Sequence, residues 1–123
     1  MKKCILLVDD NEAVRTATRH FVERETEFEV CGEAVDGFDA LERAQRLRPD
    51  LIVLDLEMPR KSGLQTAREL RAMNIRIPII LFTMYADAVP SHDTLDAEIR
   101  AVVSKIDTSA LREHIEGLLV ARS

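Results

Sequence analysis

The sequence predicts an α/β fold in which a doubly wound, five-stranded parallel sheet carries helices on both faces. Five short apolar segments alternate along the chain with segments of helical periodicity, and this alternation implies right-handed crossovers between parallel strands. The first, third and fourth apolar segments are nearly continuous in Val, Ile and Leu, as is typical of strands covered on both faces. With 123 residues, the chain is expected to form a single domain over residues 1–123.

The strands are predicted at residues 4–8, 28–34, 51–55, 77–83 and 99–105. The second of these runs is polar enough to lie at the edge of the sheet. Helices are predicted where apolar residues recur at helical spacing, within residues 14–22, 40–47, 64–70 and 111–119. The connection before the last strand is different, because it contains Pro90 and few apolar residues. We expect only a short or poorly packed helix there, from about residue 90 to residue 97.

The composition excludes several classes of protein. A hydrophobic share of 46% and a charged share of 32% are typical of a globular domain rather than of a disordered chain. The apolar runs are too short for a membrane span or a secretory signal, which predicts a cytoplasmic protein without membrane association. A net charge of −5 argues against direct nucleic-acid binding, because phosphate contacts require a basic face. Cys4 and Cys31 lack the spacing of metal ligands and are predicted to be small reduced core residues.

Polar residues stand at the carboxyl ends of four predicted strands. Asp9 and Asp10 follow the first strand, Asp55 ends the third, Thr83 ends the fourth and Lys105 ends the fifth. Each of them alone is most simply explained as a turn, cap or surface residue. In a parallel sheet, however, these ends share one edge, where such folds place their functional groups. We therefore expect three carboxylates, a hydroxyl and an ammonium to meet in one cleft.

This combination of side chains suits phosphoryl chemistry. Three neighbouring carboxylates repel one another unless a cation neutralises them, and Mg²⁺ prefers carboxylate, water and phosphate oxygens as ligands. A carboxylate such as that of Asp55 can attack phosphorus to form an acyl phosphate. Thr83 and Lys105 would then bind the oxygens of the transferred group.

Four stretches of the chain resemble the motifs of receiver domains of bacterial two-component response regulators. They read LLVDDN, LIVLDLEMPRKSGL, IILFT and VVSK. The resemblance implies a flavodoxin-like strand order of 2-1-3-4-5. It also implies that Asp55 accepts a phosphoryl group from a sensor histidine kinase or a phosphotransfer protein. A homodimer through the face formed by the fourth helix, the fifth strand and the fifth helix is a further expectation.

The same resemblance assigns a role to each residue of the cleft. Asp55 is the phosphoacceptor, and Thr83 and Lys105 engage the phosphoryl group. The implied Mg²⁺ ligands are Asp9, Asp10, Asp55 and the backbone carbonyl of Glu57. Within the loop after the acceptor, Met58, Pro59 and Gly63 match the family pattern, where Pro and Gly are expected to fix a turn that would otherwise be strained.

The chain departs from the family pattern at several positions near the cleft. Val102 occupies a place where relatives usually carry an aromatic ring that reports phosphorylation, so a ring switch cannot operate there. Met84 replaces a small residue after Thr83 and, with Glu57, is predicted to form the rim of the pocket. Ile106 stands where many relatives have a proline with a cis bond, which leaves the geometry of that peptide open.

Two other functions are compatible with parts of this pattern. The first is a small aspartyl-phosphate phosphatase or phosphotransferase with Asp55 as nucleophile. Such enzymes typically carry a second Asp two residues after the nucleophile, where this chain has Glu57. The second is a degenerate receiver that only binds a partner, an interpretation motivated by Val102 and Met84. Retention of all five pocket residues argues against it.

Overall fold

A computed structural model describes residues 2–89 and 98–120 of the chain. Its sheet has five parallel strands in the order β2-β1-β3-β4-β5, which confirms the predicted fold class and strand order. The strands are β1 (Cys4–Val8), β2 (Glu29–Ala34), β3 (Leu51–Leu54), β4 (Ile79–Thr83) and β5 (Ile99–Ser104).

The described part of the chain contains the helices α1 (Glu12–Glu25), α2 (Gly37–Leu47), α3 (Gly63–Ala72) and α4 (Thr108–Val120). A 3₁₀ turn at Ala86–Ala88 follows β4. The short helix predicted at residues 90–97 lies outside the described residues, so α4 corresponds to the fifth predicted helix. The expected dimer face is consequently described only in part. None of the helices in the ranges given above is both long and apolar enough to cross a lipid bilayer.

Both faces of the sheet are covered by helices, which explains the continuous apolar runs. Side chains of β1 and β3 alternate between two buried clusters. One cluster includes Leu6 and Leu54 and packs against α2 and α3, and the other includes Ile5 and Val53 and packs against α1 and α4. Burial of one such aliphatic side chain stabilises the fold by about 1.5–3 kcal/mol relative to an exposed one. The polar residues that follow the central strands are therefore attached to well-packed segments of the core.

The two cysteines form a disulfide, so the prediction that they are reduced core residues is wrong. Cys4 lies in β1 and Cys31 in the neighbouring β2, with 5.4 Å between their Cα atoms, within the usual range for such a bond. A register shift pairs Ile5 with Val30 and Leu6 with Gly32, which leaves Cys31 as the unpaired extra residue of a bulge. Strand pairing, which the spacing of the cysteines does not reveal, brings the two sulfur atoms together.

Candidate functional site

The structure brings together the polar residues predicted at the strand ends. Asp9, Asp10 and Asp55 each offer a carboxylate oxygen, and these oxygens lie within 4.8 Å of one another. The Nζ atom of Lys105 lies 2.8 Å from Oδ2 of Asp9 and 3.2 Å from Oδ1 of Asp55. Thr83, the last residue of β4, is buried beside them and lines the same cavity. The five side chains thus surround one cleft at the carboxyl edge of the sheet.

The backbone hydrogen bonding of the sheet continues one residue beyond the strands, and these additional hydrogen bonds position the side chains of the cleft. The amide of Asp9 donates to the carbonyl of Ala34 at 3.1 Å, and the amide of Asp55 donates to the carbonyl of Val8 at 2.9 Å. On the other side of β3, the amide of Lys105 donates to the carbonyl of Thr83, also at 2.9 Å. The geometry of the cleft is therefore set by the register of the parallel strands.

Burial makes the charges of the cleft strongly dependent on one another. Asp9 and Asp55 are buried, whereas Asp10 is exposed. Burial raises the pKa of the Asp55 carboxyl, the charge of Asp9 raises it further, and the Lys105 ammonium opposes both effects. Burial acts to lower the pKa of Lys105, but its hydrogen bond with Asp9 and the charges of both carboxylates outweigh this effect and raise it. Lys105 therefore carries the positive charge that the two buried carboxylates require.

The donor set of the cleft fits Mg²⁺. Asp9, Asp10 and Asp55 supply hard oxygen atoms close enough to share one ion, and the exposure of Asp10 leaves room for the water ligands that Mg²⁺ retains. The amide of Glu57 donates to Oδ1 of Asp55 at 3.4 Å, and its side chain is exposed. The role of the Glu57 carbonyl as a ligand stays a prediction.

The cleft opens into a cavity of about 500 Å³ that continues between α1 and α4. Glu57 and Met84 both line it, and Met84 is 59% exposed, so this methionine is a rim residue and does not fill the core. The hydroxyl of Thr83 accepts a hydrogen bond from the amide of Tyr85 at 3.0 Å. Val102, in contrast, is half-buried against the core cluster that packs on α2 and α3.

The loop after Asp55 differs from the strained glycine turn that the sequence suggested. Gly63 has no positive φ, and the left-handed residue of this loop is Arg60, with φ of 69°. Gly63 is required for another reason, because a Cβ atom at this position would overlap the backbone carbonyl of Asp55. Its amide also donates to the carbonyl of Leu56 at 2.7 Å. The first turn of α3 thus rests directly on the backbone next to Asp55.

The peptide bond after Lys105 is trans, since the described residues contain no cis peptide bond. The sequence left this geometry open. Ile106, which follows Lys105, is 82% exposed.

Sequence reasoning missed Arg15, which lies behind the acidic residues. Its Nη1 atom donates to the backbone carbonyl of Asp9 at 2.7 Å, and its Nε atom donates to Glu33 at 2.8 Å. A lone arginine on a helix gives no local signal of such contacts. Only the packing of α1 against β1 and β2 reveals them.

Comparison with known proteins identifies the family. The family model for the response regulator receiver domain matches residues 5–116. This chain belongs to that family. The receiver also resembles longer curated proteins, among them the protein-glutamate methylesterase/protein-glutamine glutaminase of a Nocardioides species, with 36% identity over 82% of the receiver and 28% of the relative. The corresponding protein of Alkalilimnicola ehrlichii is 35% identical over 99% of the receiver and 32% of its own length.

The receiver thus spans between 21% and 32% of the length of the curated relatives it matches. Among solved structures, a LuxR-family response regulator from Aurantimonas has a TM-score of 0.87 and 29% identity, covering 98% of the receiver and 87% of that chain. The response regulator TrrA of Thermotoga maritima, solved in complex with Mg²⁺ and BeF, has a TM-score of 0.83 and 32% identity, covering 94% and 98%. The chain is therefore a module of two-component signalling.

Proposed function

We propose that this receiver is a phosphoacceptor switch that takes a phosphoryl group onto Asp55 from a sensor histidine kinase or a phosphotransfer protein, with Mg²⁺. The observation that carries the proposal is that the buried Asp55 lies close to two further carboxylates and in contact with the Lys105 ammonium. The Mg²⁺ and BeF complex of the similar regulator TrrA supports it. The change produced at the surface would act on an output domain or a partner.

In the proposed reaction, a carboxylate oxygen of Asp55 attacks the phosphorus atom of a phosphohistidine. The new O–P bond forms as the P–N bond breaks, and the electron pair of the broken bond stays on the imidazole. Lys105, which contacts Asp55, would transfer one of its hydrogen bonds to a phosphoryl oxygen, and the hydroxyl of the buried Thr83 would donate another. When bound, Mg²⁺ would supply positive charge that neutralises the carboxylates and the phosphoryl oxygens.

Incubation with acetyl phosphate and Mg²⁺ is expected to add the mass of one phosphoryl group to the chain, and Asp55→Asn is expected to abolish this gain. The reason is that Asp55 is the buried carboxylate flanked by both Asp9 and Lys105. Intact-protein mass spectrometry measures the outcome, and a sample with chelator should remain unlabelled.

Asp36→Asn is the matched control for this experiment. Asp36 caps α2 at the same edge of the sheet and pairs with Arg60 at 2.7 Å, outside the cleft. This variant should be labelled like the parent. Labelling that persists in Asp55→Asn, or a parent that is never labelled, would contradict the proposal.

The convergence of all five pocket residues favours a phosphorylatable receiver over a degenerate one. The aspartyl-phosphate phosphatase interpretation requires a second acid that protonates a leaving group. The Glu57 side chain in that sequence position is exposed at the rim of the cleft. A test with a phosphomonoester substrate distinguishes the two activities, because a phosphoacceptor is labelled without turning that substrate over.

Met84→Ala is expected to accelerate loss of the phosphoryl group about tenfold, which corresponds to about 1.4 kcal/mol of barrier. The exposed Met84 side chain lines the mouth of the cavity, where it hinders a water molecule that approaches in line with the bond to Asp55. Dephosphorylation is followed by mass spectrometry at saturating Mg²⁺. Met73→Ala, at the exposed end of α3, is the control and should leave the rate unchanged. An unchanged or slower rate in Met84→Ala would show that this side chain does not protect the phosphoryl group.

A further inference from the structure

Arg15 joins α1, β2 and the loop that carries the acidic pair. Its side chain is only 12% exposed, and its two hydrogen bonds leave from different nitrogen atoms of the guanidinium group. Nε binds Oε1 of Glu33 in β2, and Nη1 binds the backbone carbonyl of Asp9. A planar guanidinium holds two such partners in a fixed relative geometry. The position of the Asp9 carbonyl is therefore tied to both α1 and β2.

With the contact to Arg15, the backbone amide, the backbone carbonyl and both carboxylate oxygens of Asp9 each have a partner. The Asp9 amide donates to Ala34, its Oδ1 atom accepts from the amide of Asn11 at 2.9 Å, and its Oδ2 atom contacts Lys105. The carbonyl accepts from Arg15 at 2.7 Å. This carbonyl belongs to the planar peptide group that links Asp9 to Asp10, so fixing its orientation removes one of the rotations that decide where the exposed Asp10 side chain lies.

We propose that Arg15 is a positioning residue that orients the peptide between Asp9 and Asp10 so that both carboxylates can bind the same Mg²⁺ ion. The proposal rests on the function proposed above, and it adds a residue that does not touch the ion. Partners that orient metal ligands typically change metal affinity 10–100-fold when they are replaced. Arg15 acts on the ligands through a backbone carbonyl.

The simpler explanation is that Arg15 only fastens α1 to β2. Glu33 is ionised, because the hydrogen bonds from Arg19 and Arg15 outweigh the effect of burial and lower its pKa. A role limited to fastening predicts that loss of either arginine lowers the stability of the fold and that the two losses have the same effect on Mg²⁺ binding.

Arg19 provides a matched comparison within the same network. It lies one helical turn after Arg15, and its Nη1 atom binds the other oxygen of the Glu33 carboxylate at 2.6 Å. Its second ion-pair partner among the described residues is Glu23, at 3.6 Å on the same helix. Arg19 therefore shares the fastening role, whereas the hydrogen bond to the Asp9 carbonyl belongs to Arg15.

The test measures Mg²⁺ affinity by isothermal titration calorimetry and stability by urea unfolding without Mg²⁺, for the parent, Arg15→Gln, Arg15→Lys and Arg19→Gln. We expect Arg15→Gln to weaken Mg²⁺ binding at least tenfold and Arg19→Gln to change it less than twofold. Arg15→Lys should also bind Mg²⁺ weakly, because an ammonium group cannot hold both hydrogen-bond partners in the fixed geometry of the guanidinium. It keeps the charge and serves as the second variant if Arg15→Gln does not fold.

Equal Mg²⁺ affinities in the parent and both Arg15 variants would overturn the positioning role and leave the proposed function standing. An equal loss of affinity in Arg15→Gln and Arg19→Gln would also overturn it, since fastening alone would explain the result. A parent that binds no Mg²⁺ and is not labelled by acetyl phosphate would overturn both proposals together.

Discussion

Lys105→Met is expected to lower the free energy of unfolding of the Mg²⁺-free receiver by about 3–5 kcal/mol, the usual cost of removing one partner from a buried ion pair. The Lys105 ammonium lies between the buried carboxylates of Asp9 and Asp55. Without it, the two carboxylates face each other in a medium that screens their repulsion poorly. Urea unfolding followed by circular dichroism measures the loss.

Saturating Mg²⁺ should recover at least half of this loss, because an ion bound by the same carboxylates replaces the missing positive charge. Lys61→Met is the matched control. The Lys61 side chain is 13% exposed, as is that of Lys105, and it pairs with Glu69 between the β3–α3 loop and α3, outside the cleft. Its loss of stability should not depend on Mg²⁺. A loss below about 1 kcal/mol in Lys105→Met, the size typical of an exposed pair, would show that Lys105 is not the counter-charge of the cleft.

Joint replacement of Cys4 and Cys31 by serine is expected to lower the free energy of unfolding by about 3–4 kcal/mol, the chain-entropy value for a loop of this length. The disulfide spans 27 positions of sequence and encloses all of α1. Breaking it releases the denatured chain from that constraint and removes the covalent link between β1 and the bulge in β2. The measurement is urea unfolding of the oxidised parent and of the double variant.

Reductant provides the internal control for this comparison. It should destabilise the parent to the level of the double serine variant and have no effect on that variant. If the parent unfolds identically with and without reductant, and two thiols react with a thiol reagent under native conditions, the two cysteines do not stabilise the fold as a disulfide.

The strand boundaries show how much of the fold the local sequence pattern predicts. The apolar runs that predicted strands at residues 51–55 and 99–105 correspond to β3 at Leu51–Leu54 and β5 at Ile99–Ser104. In both, the charged residue at the end of the run, Asp55 or Lys105, lies just beyond the strand. An apolar run in the sequence does not show at which residue the strand ends and the side chains begin to line the cleft. This depends on which residues of the run are covered by the neighbouring strands and helices.

The sequence by itself determined the fold class and the chemistry available at one edge of the sheet. Continuous apolar runs require cover on both faces, and parallel strands place their carboxyl ends together, so the meeting of Asp9, Asp55 and Lys105 follows from local pattern and topology. These inferences need no knowledge of register, because each concerns a whole strand and the residue after it.

Only the tertiary structure decided the contacts that depend on register and on distances of a few ångströms. The bulge at Cys31, the approach of Gly63 to the Asp55 carbonyl and the hydrogen bond from Arg15 to Asp9 each join segments that are distant or unremarkable in sequence. A shift of one residue in a strand turns a side chain to the opposite face. Composition and periodicity are almost unchanged by such a shift, which is why they predicted the cleft and could not predict the disulfide or the arginine behind the cleft.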